Sequence, residues 1–281
     1  MPELPEVETV KLGLQKYLVG HKILDVEIKV AKLFEGRVED VVGAKVIDAR
    51  RFGKGLVIDL SNKHSLAIHI KLTGQLIYRD DKTSKIMLSQ KVGDKIPNQF
   101  THVIFKLDKG AYLYYNDKRR FGWIRAVKTE DLSKMPFFKN MGPEPFKDLT
   151  FELFNKIISG KQTVIKPLLM DQTRIGGIGN IYANDALFFA GISPKRRAKD
   201  LTSSEIKSLY DSILKVMEKS MKYGGASELN FVNVLGQEGE YQHHSLAYGR
   251  QGEKCSKNDE GIIEKTFLAG RGTYFCPVHQ K

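Results

Sequence analysis

The chain has 281 residues, with 45 Lys and Arg against 33 Asp and Glu and a formal net charge of +12. That length can bury two modest cores, so two domains are expected, and the charge points to a polyanionic partner. Nucleic acid is favoured over an acidic membrane, because no basic amphipathic helix or lipidation signal is present. No apolar run reaches spanning length, and the acidic start is unlike a secretory signal, so a soluble cytoplasmic protein is expected. Two cysteines are too few for a disulfide framework.

The chain begins Met-Pro-Glu-Leu-Pro-Glu. Trimming of Met1, usual before a small second residue, would leave Pro2 a secondary amine titrating near ~8. Such an amine attacks electrophilic carbon and forms an iminium where a neighbour handles protons, and Glu3 and Glu6 are close in sequence. The plainer reading is a solvated chain start. Leu4, Val7, Val10, Leu14 and Leu18 recur at helical spacing, which predicts a helix over about residues 3–19 beginning just after Pro5.

From Ile23 to about Val127 the pattern changes to seven or so short β-branched runs separated by turn residues, as in an all-β sandwich or barrel. Within it, Lys54 lies between Gly53 and Gly55, which suits either a close approach to a ligand or a solvated lysine. His69 ends a strand just before Leu72 and reads as a phosphate contact or as part of the fold's hydrogen-bond network. The run Asp117-Lys-Arg-Arg-Phe-Gly122 is a loop between strands. Its paired arginines and aromatic suit either a wedge filling the gap left by a flipped base or an ordinary β-turn.

Residues 131–149 read as a polar, proline-bearing linker. Helical periods follow from about Thr150 to Tyr223, with a Ser cap proposed for the last helix and Gly224 and Gly225 as its stop. Between them, Ile175-Gly-Gly-Ile-Gly-Asn180 places glycines before a helix. That is an anion nest in which Asn180 is the favoured phosphate partner, or a tight turn between helices; a dinucleotide fold would need strands on either side. From about Leu246 a hairpin module carries Cys255, Asn258, Asp259, Cys276 and His279. The cysteines and histidine could ligate zinc with Asp259 or Asn258 as the fourth group, or belong to a hairpin without metal.

MPELPEVET at the start, DKRRFG, LLMDQTRIGGIGNIYANDALFFAGISP, and YGR followed by GRGTYFCP together resemble bacterial formamidopyrimidine-DNA glycosylase over essentially the whole chain. The resemblance implies an α+β protein. Residues 2–130 would form an N-terminal β-sandwich with a flanking helix, 150–245 a helix-two-turns-helix domain, and 246–281 a zinc-finger-like β-hairpin. Duplex DNA carrying oxidised bases would bind between the domains of a monomer. Pro2 would attack C1′ of an oxidised purine nucleotide, Glu3 would supply protons, Lys54 would assist, and Arg271 would grip phosphate. His69, Leu72, His102, Arg119, Phe121, Lys161 and Asn180 match positions that contact the DNA or fill the helix. One structural zinc would sit on Cys255, Asp259, Cys276 and His279.

Two departures stand out. Leu72 replaces the usual methionine of the helix-filling triad, a change of similar volume. The second and fourth cysteines of the finger are also replaced. Two other functions fit the same residues less well: an endonuclease VIII-like enzyme acting on oxidised pyrimidines, and a non-catalytic lesion-binding protein.

Overall fold

The computed structural model describes residues 1–257 and 260–281. The chain divides into two compact units, residues 1–139 with 223–240, and residues 140–222 with 241–281.

The first unit begins with α1 (Leu4–Tyr17), which buries Leu4, Val7, Val10 and Leu14. The helix starts before Pro5, not after it, because a proline in the first turn gives up an N–H that no intrahelical acceptor needs. Nine strands follow: β1 (Ile23–Ile28), β2 (Phe34–Glu35), β3 (Val46–Phe52), β4 (Gly55–Leu60), β5 (His64–His69), β6 (Gly74–Arg79), β7 (Thr101–Leu107), β8 (Tyr112–Asp117) and β9 (Trp123–Lys128). They make a four-stranded sheet, β1-β7-β8-β6, and a five-stranded one, β2-β9-β5-β4-β3. Neighbours are antiparallel except β2 and β9. Val26, Phe105, Leu113 and Tyr115 of the first sheet share one core with Ile58, Leu66, Ile68 and Ile124 of the second, and with Val7, Val10 and Leu14 of α1. This is the expected β-sandwich with its flanking helix.

β4 and β6 are buried on both faces, which fits their apolar centres, Leu56–Ile58 and Leu76–Tyr78. Residues 131–139, expected as linker, form a 3-10 turn and the short α2 (Pro136–Lys139); Leu132, Met135 and Phe138 cover Val57 and Ala67 on the five-stranded sheet. Val232, from the segment 223–240, covers Ile77 on the other sheet. That segment returns to the first unit and is fastened there, with Tyr78 N–H donating to the Val234 carbonyl at 2.7 Å.

The second unit contains α3 (Phe151–Ile158), α4 (Ile165–Leu169), α5 (Asn180–Ala190), α6 (Ser203–Lys222) and a hairpin, β10 (Glu264–Leu268) with β11 (Arg271–Phe275). Thr150 caps α3 by accepting from Leu153 N. Thr202, not a serine, caps α6: its hydroxyl accepts from Glu205 N at 3.3 Å while Glu205 accepts from Thr202 N at 2.7 Å. The hairpin module borrows its core, since Cys255, Ile263 and Cys276 pack on Phe188 of α5. Asp185 of α5 completes the attachment by accepting from the N–H groups of Leu246, Ala247 and Tyr248 and from the Tyr241 hydroxyl. Burial raises its pKa despite these four donors.

Candidate active site and nucleic-acid interface

Pro2, Glu3 and Glu6 are buried at the start of α1, beneath an exposed Met1. Glu6 accepts from Glu3 N at 2.8 Å, half of a capping box with Glu3. Its other oxygen accepts from Ala226 N at 2.7 Å. Gly225, at φ +88°, leaves room for this link, because a Cβ there would lie 3.0 Å from Glu6 Oε1 and 3.1 Å from the Phe231 ring. Glu6 therefore orients the chain start rather than offering a second free carboxylate, a role read from sequence only as nearness to Pro2.

Lys54 sits in the two-residue turn between β3 and β4, where Gly53 has φ +54°. The lysine is 5% exposed, which removes the reading of a solvated surface side chain. Arg51 ties this turn to α1, donating from Nε to Glu8 at 2.8 Å and from Nη1 to the Gly53 carbonyl at 3.1 Å. Burial acts to raise the Glu8 pKa, but hydrogen bonds and charge from Lys11 and Arg51 outweigh it and hold the carboxyl below its usual value. Phe137 closes over Gly55, where a Cβ would meet its ring at 2.5 Å, and its ring lies 5.1 Å from that of His69.

His69 is buried, and its pKa falls to about 3, from burial first and then from the charges of Lys71 and Lys54. Its Nδ1 accepts from Lys71 N at 3.0 Å, so the neutral ring carries its proton on Nε2, leaving one donor for a phosphate. The native ring resists protonation until about pH 3, whereas an unfolded histidine takes a proton below ~6.5. Stability is thus full above about pH 6.5 and lost as pH falls, by roughly 5 kcal/mol across the window for this group alone. In urea titrations at stepped pH, His69→Gln is expected to flatten the acid limb. An unchanged limb would mean that the native ring protonates readily.

Two loops come together around Asp117, which is fully buried. Its carboxylate accepts from the Thr73 hydroxyl, from Arg119 N at 3.2 Å and from Gly122 N at 2.8 Å, while Thr73 also accepts from Arg119 N at 3.0 Å. The turn carrying Leu72 is thereby joined to the loop carrying Arg119 and Phe121. Phe121 is 56% exposed, and the Arg119 guanidinium lies 4.7 Å from its ring centroid. An exposed aromatic held by a buried carboxylate has the form of a wedge. His102 serves this loop from below, buried, with Nε2 donating to the Asp117 carbonyl at 3.0 Å.

In the second unit the Asn180 side chain is turned toward the hairpin, its Nδ2 donating to the Gly272 carbonyl at 3.0 Å. The sequence reading missed the residue behind it. Lys166 is 1% exposed, and its Nζ donates to Asn180 Oδ1 at 2.7 Å, Thr273 Oγ1 at 2.8 Å and the Gly272 carbonyl at 3.1 Å. Its one sequence signal is a lysine inside the apolar run Val-Ile-Lys-Pro-Leu-Leu. Lys161 lies partly exposed between α3 and α4, with Lys199 N donating to its carbonyl. Arg271 stands exposed just after a hairpin turn whose central residues, Ala269 and Gly270, have φ of +47° and +71°.

Cys255 and Cys276 are buried, and His279 directs Nε2 to the Phe188 carbonyl at 2.9 Å. Asp259, expected as a ligand, lies outside the described residues, as does Asn258. Among the described residues no three metal-ligating side chains converge, so the described donors do not by themselves fit a zinc ion.

Residues 1–124 match the formamidopyrimidine-DNA glycosylase N-terminal domain, and residues 141–231 match the H2TH domain of that enzyme. A formamidopyrimidine-DNA glycosylase of Pelotomaculum thermopropionicum is 38% identical, with 100% of this chain and 99% of that one covered. One of Streptococcus mutans is 34% identical with both chains fully covered. Among solved structures, a complex of Lactococcus lactis Fpg with abasic-site DNA superposes with a TM-score of 0.86, at 32% identity over 99% of each chain. A Lactococcus lactis Fpg mutant with Fapy-dG DNA gives 0.87 at 32% identity over both full chains. Full-length similarity at this level shows that the chain belongs to the formamidopyrimidine-DNA glycosylase family.

Proposed function

We propose that this chain excises oxidised purines from duplex DNA and then cuts the strand, with the amine of Pro2 as nucleophile. The observation that supports this most is the buried Pro2-Glu3 start, oriented by Glu6 and joined through Glu8 and Arg51 to the turn that carries Lys54. With Met1 removed, the Pro2 nitrogen adds to C1′ as the C1′–N bond breaks, and the base leaves with the electron pair and takes up the proton that the Pro2 nitrogen gives up. Glu3 delivers a proton to O4′ as the sugar ring opens, giving an iminium between Pro2 and C1′.

The iminium withdraws electrons from its neighbours. Loss of a C2′ proton expels the 3′ phosphate by β-elimination, and loss of a further proton from C4′ expels the 5′ phosphate by δ-elimination. Lys54 supplies a cation beside the reacting sugar. Leu72, Arg119 and Phe121 fill the space left by the flipped nucleotide, at a cost in unstacking that is smallest for damaged bases. His69 Nε2–H, Lys161, the start of α5 at Asn180 and Arg271 are assigned to phosphate contacts. No step passes through a metal.

Borohydride trapping tests this reading. Tag-free protein on a duplex with one 8-oxoguanine is expected to give a covalent adduct whose N-terminal peptide carries the sugar on Pro2. Tight binding without adduct would replace the enzyme by a lesion-binding protein. A solved relative holds DNA containing an oxidised pyrimidine, so the duplex panel includes thymine glycol; faster cutting there than at 8-oxoguanine would reassign the substrate.

A further inference from the structure

One face of the β10–β11 hairpin carries an aromatic stripe that the chemistry above does not use. Lys265 pairs with Tyr274 and Phe267 with Gly272, so Lys265, Phe267 and Tyr274 project to the same side of the ribbon. Tyr248 packs edge-on against Tyr274, with ring centroids 5.1 Å apart. Lys265 Nζ lies 5.4 Å from the Tyr274 centroid and 5.8 Å from that of Phe267. Gly272, opposite Phe267, brings no side chain to cover it, and Phe267 is left 69% exposed.

The stripe is also held in place. Tyr274 N donates to Asn184 Oδ1 at 2.8 Å, and Lys166 and Asn180 both donate to the Gly272 carbonyl. Its one charged member, Lys265, is basic, while Glu264 and Arg271 both fall at alternate positions on the other side. An exposed ring with an ammonium beside it complements a nucleotide, with a base for the ring and a phosphate for the amine.

We propose that Phe267, backed by Lys265 and Tyr274, is a stacking surface for a base face left unstacked beside a one-nucleotide gap, so that the hairpin binds gapped DNA better than intact duplex. The inference rests on the proposed assignment of Arg271, at the tip of the same hairpin, to a phosphate contact. Removing one nucleotide and cutting the strand leaves flanking base faces unstacked, and an aromatic side chain can cover one of them irrespective of sequence.

The test is the affinity of full-length protein for a one-nucleotide-gapped duplex and for the intact duplex, measured by fluorescence anisotropy at several salt concentrations. Phe267→Ala changes an exposed side chain and is expected to weaken gapped-duplex binding about tenfold, leaving intact-duplex binding within about twofold and the salt slope unchanged. Phe267→Trp should restore affinity, and Lys265→Gln should lower the salt slope by about one. Equal affinity of Phe267→Ala and wild type for the gapped duplex overturns the proposal. So does concentration-dependent dimerisation that Phe267→Ala abolishes, which would make the stripe a protein interface. The measurement needs no chemistry, so loss of gapped-duplex affinity in a protein that forms no borohydride adduct would keep the stacking surface and remove only the proposed reaction.

Discussion

Protein that keeps an N-terminal tag, or that carries Pro2→Gly, is expected to cut lesion-bearing duplex at least about 10³-fold more slowly than processed wild type, a barrier increase of ~4 kcal/mol. It should still bind the duplex with an unchanged salt slope, because the phosphate contacts involve other residues. The tag acts by converting the Pro2 amine to an amide, whose lone pair is delocalised and cannot add to C1′. Glycine keeps an amine but loses the ring that fixes φ, so the attacking nitrogen is no longer held in one direction. A pH profile separates nucleophile loss from misfolding. Wild-type single-turnover rates should rise about tenfold per unit below the amine pKa, near ~8, and level off above it. Cutting at wild-type rate by tagged protein would end the amine mechanism.

Much of the first unit was legible because its signals are local. The spacing of Val7, Val10 and Leu14 marks α1, and alternating β-branched runs mark the strands, since period alone decides which face is buried. β5 ends at His69, where the sequence also ends a strand, and β6 begins at Gly74. The chain reverses at Lys71, a lysine at φ +50° with no glycine or proline to announce it before Gly74. The return of residues 223–240 was invisible, because it depends on partners such as Tyr78 and Gln75 about 155 residues away. The site divides the same way. Pro2, Lys54 and the Asp117–Gly122 loop show themselves as short motifs. Glu6 bonds to an amide 220 positions distant, and His69 loses its charge through burial that no neighbouring residue reveals.

Lys166→Met is expected to reduce strand cutting about tenfold while leaving adduct formation at Pro2 largely intact. Methionine keeps the length of the stem and removes the three donors of an ammonium that has no acceptor of its own. Asn180 Oδ1, Thr273 Oγ1 and the Gly272 carbonyl would each lose the same donor. A buried polar group stripped of its partner costs ~1–3 kcal/mol, so the hairpin end beside Arg271 should open more readily. Asn180 Nδ2 still donates to the Gly272 carbonyl in the variant, which argues for a loosened hairpin rather than a detached one. Hydrogen exchange should therefore accelerate at Arg271 to Tyr274 and remain unchanged in the β-sandwich. If Arg271 acts in the eliminations, borohydride adduct builds up at a near-normal rate while cut product lags. If adduct and product fall together, Lys166 supports the whole second unit rather than only the hairpin end that carries Arg271.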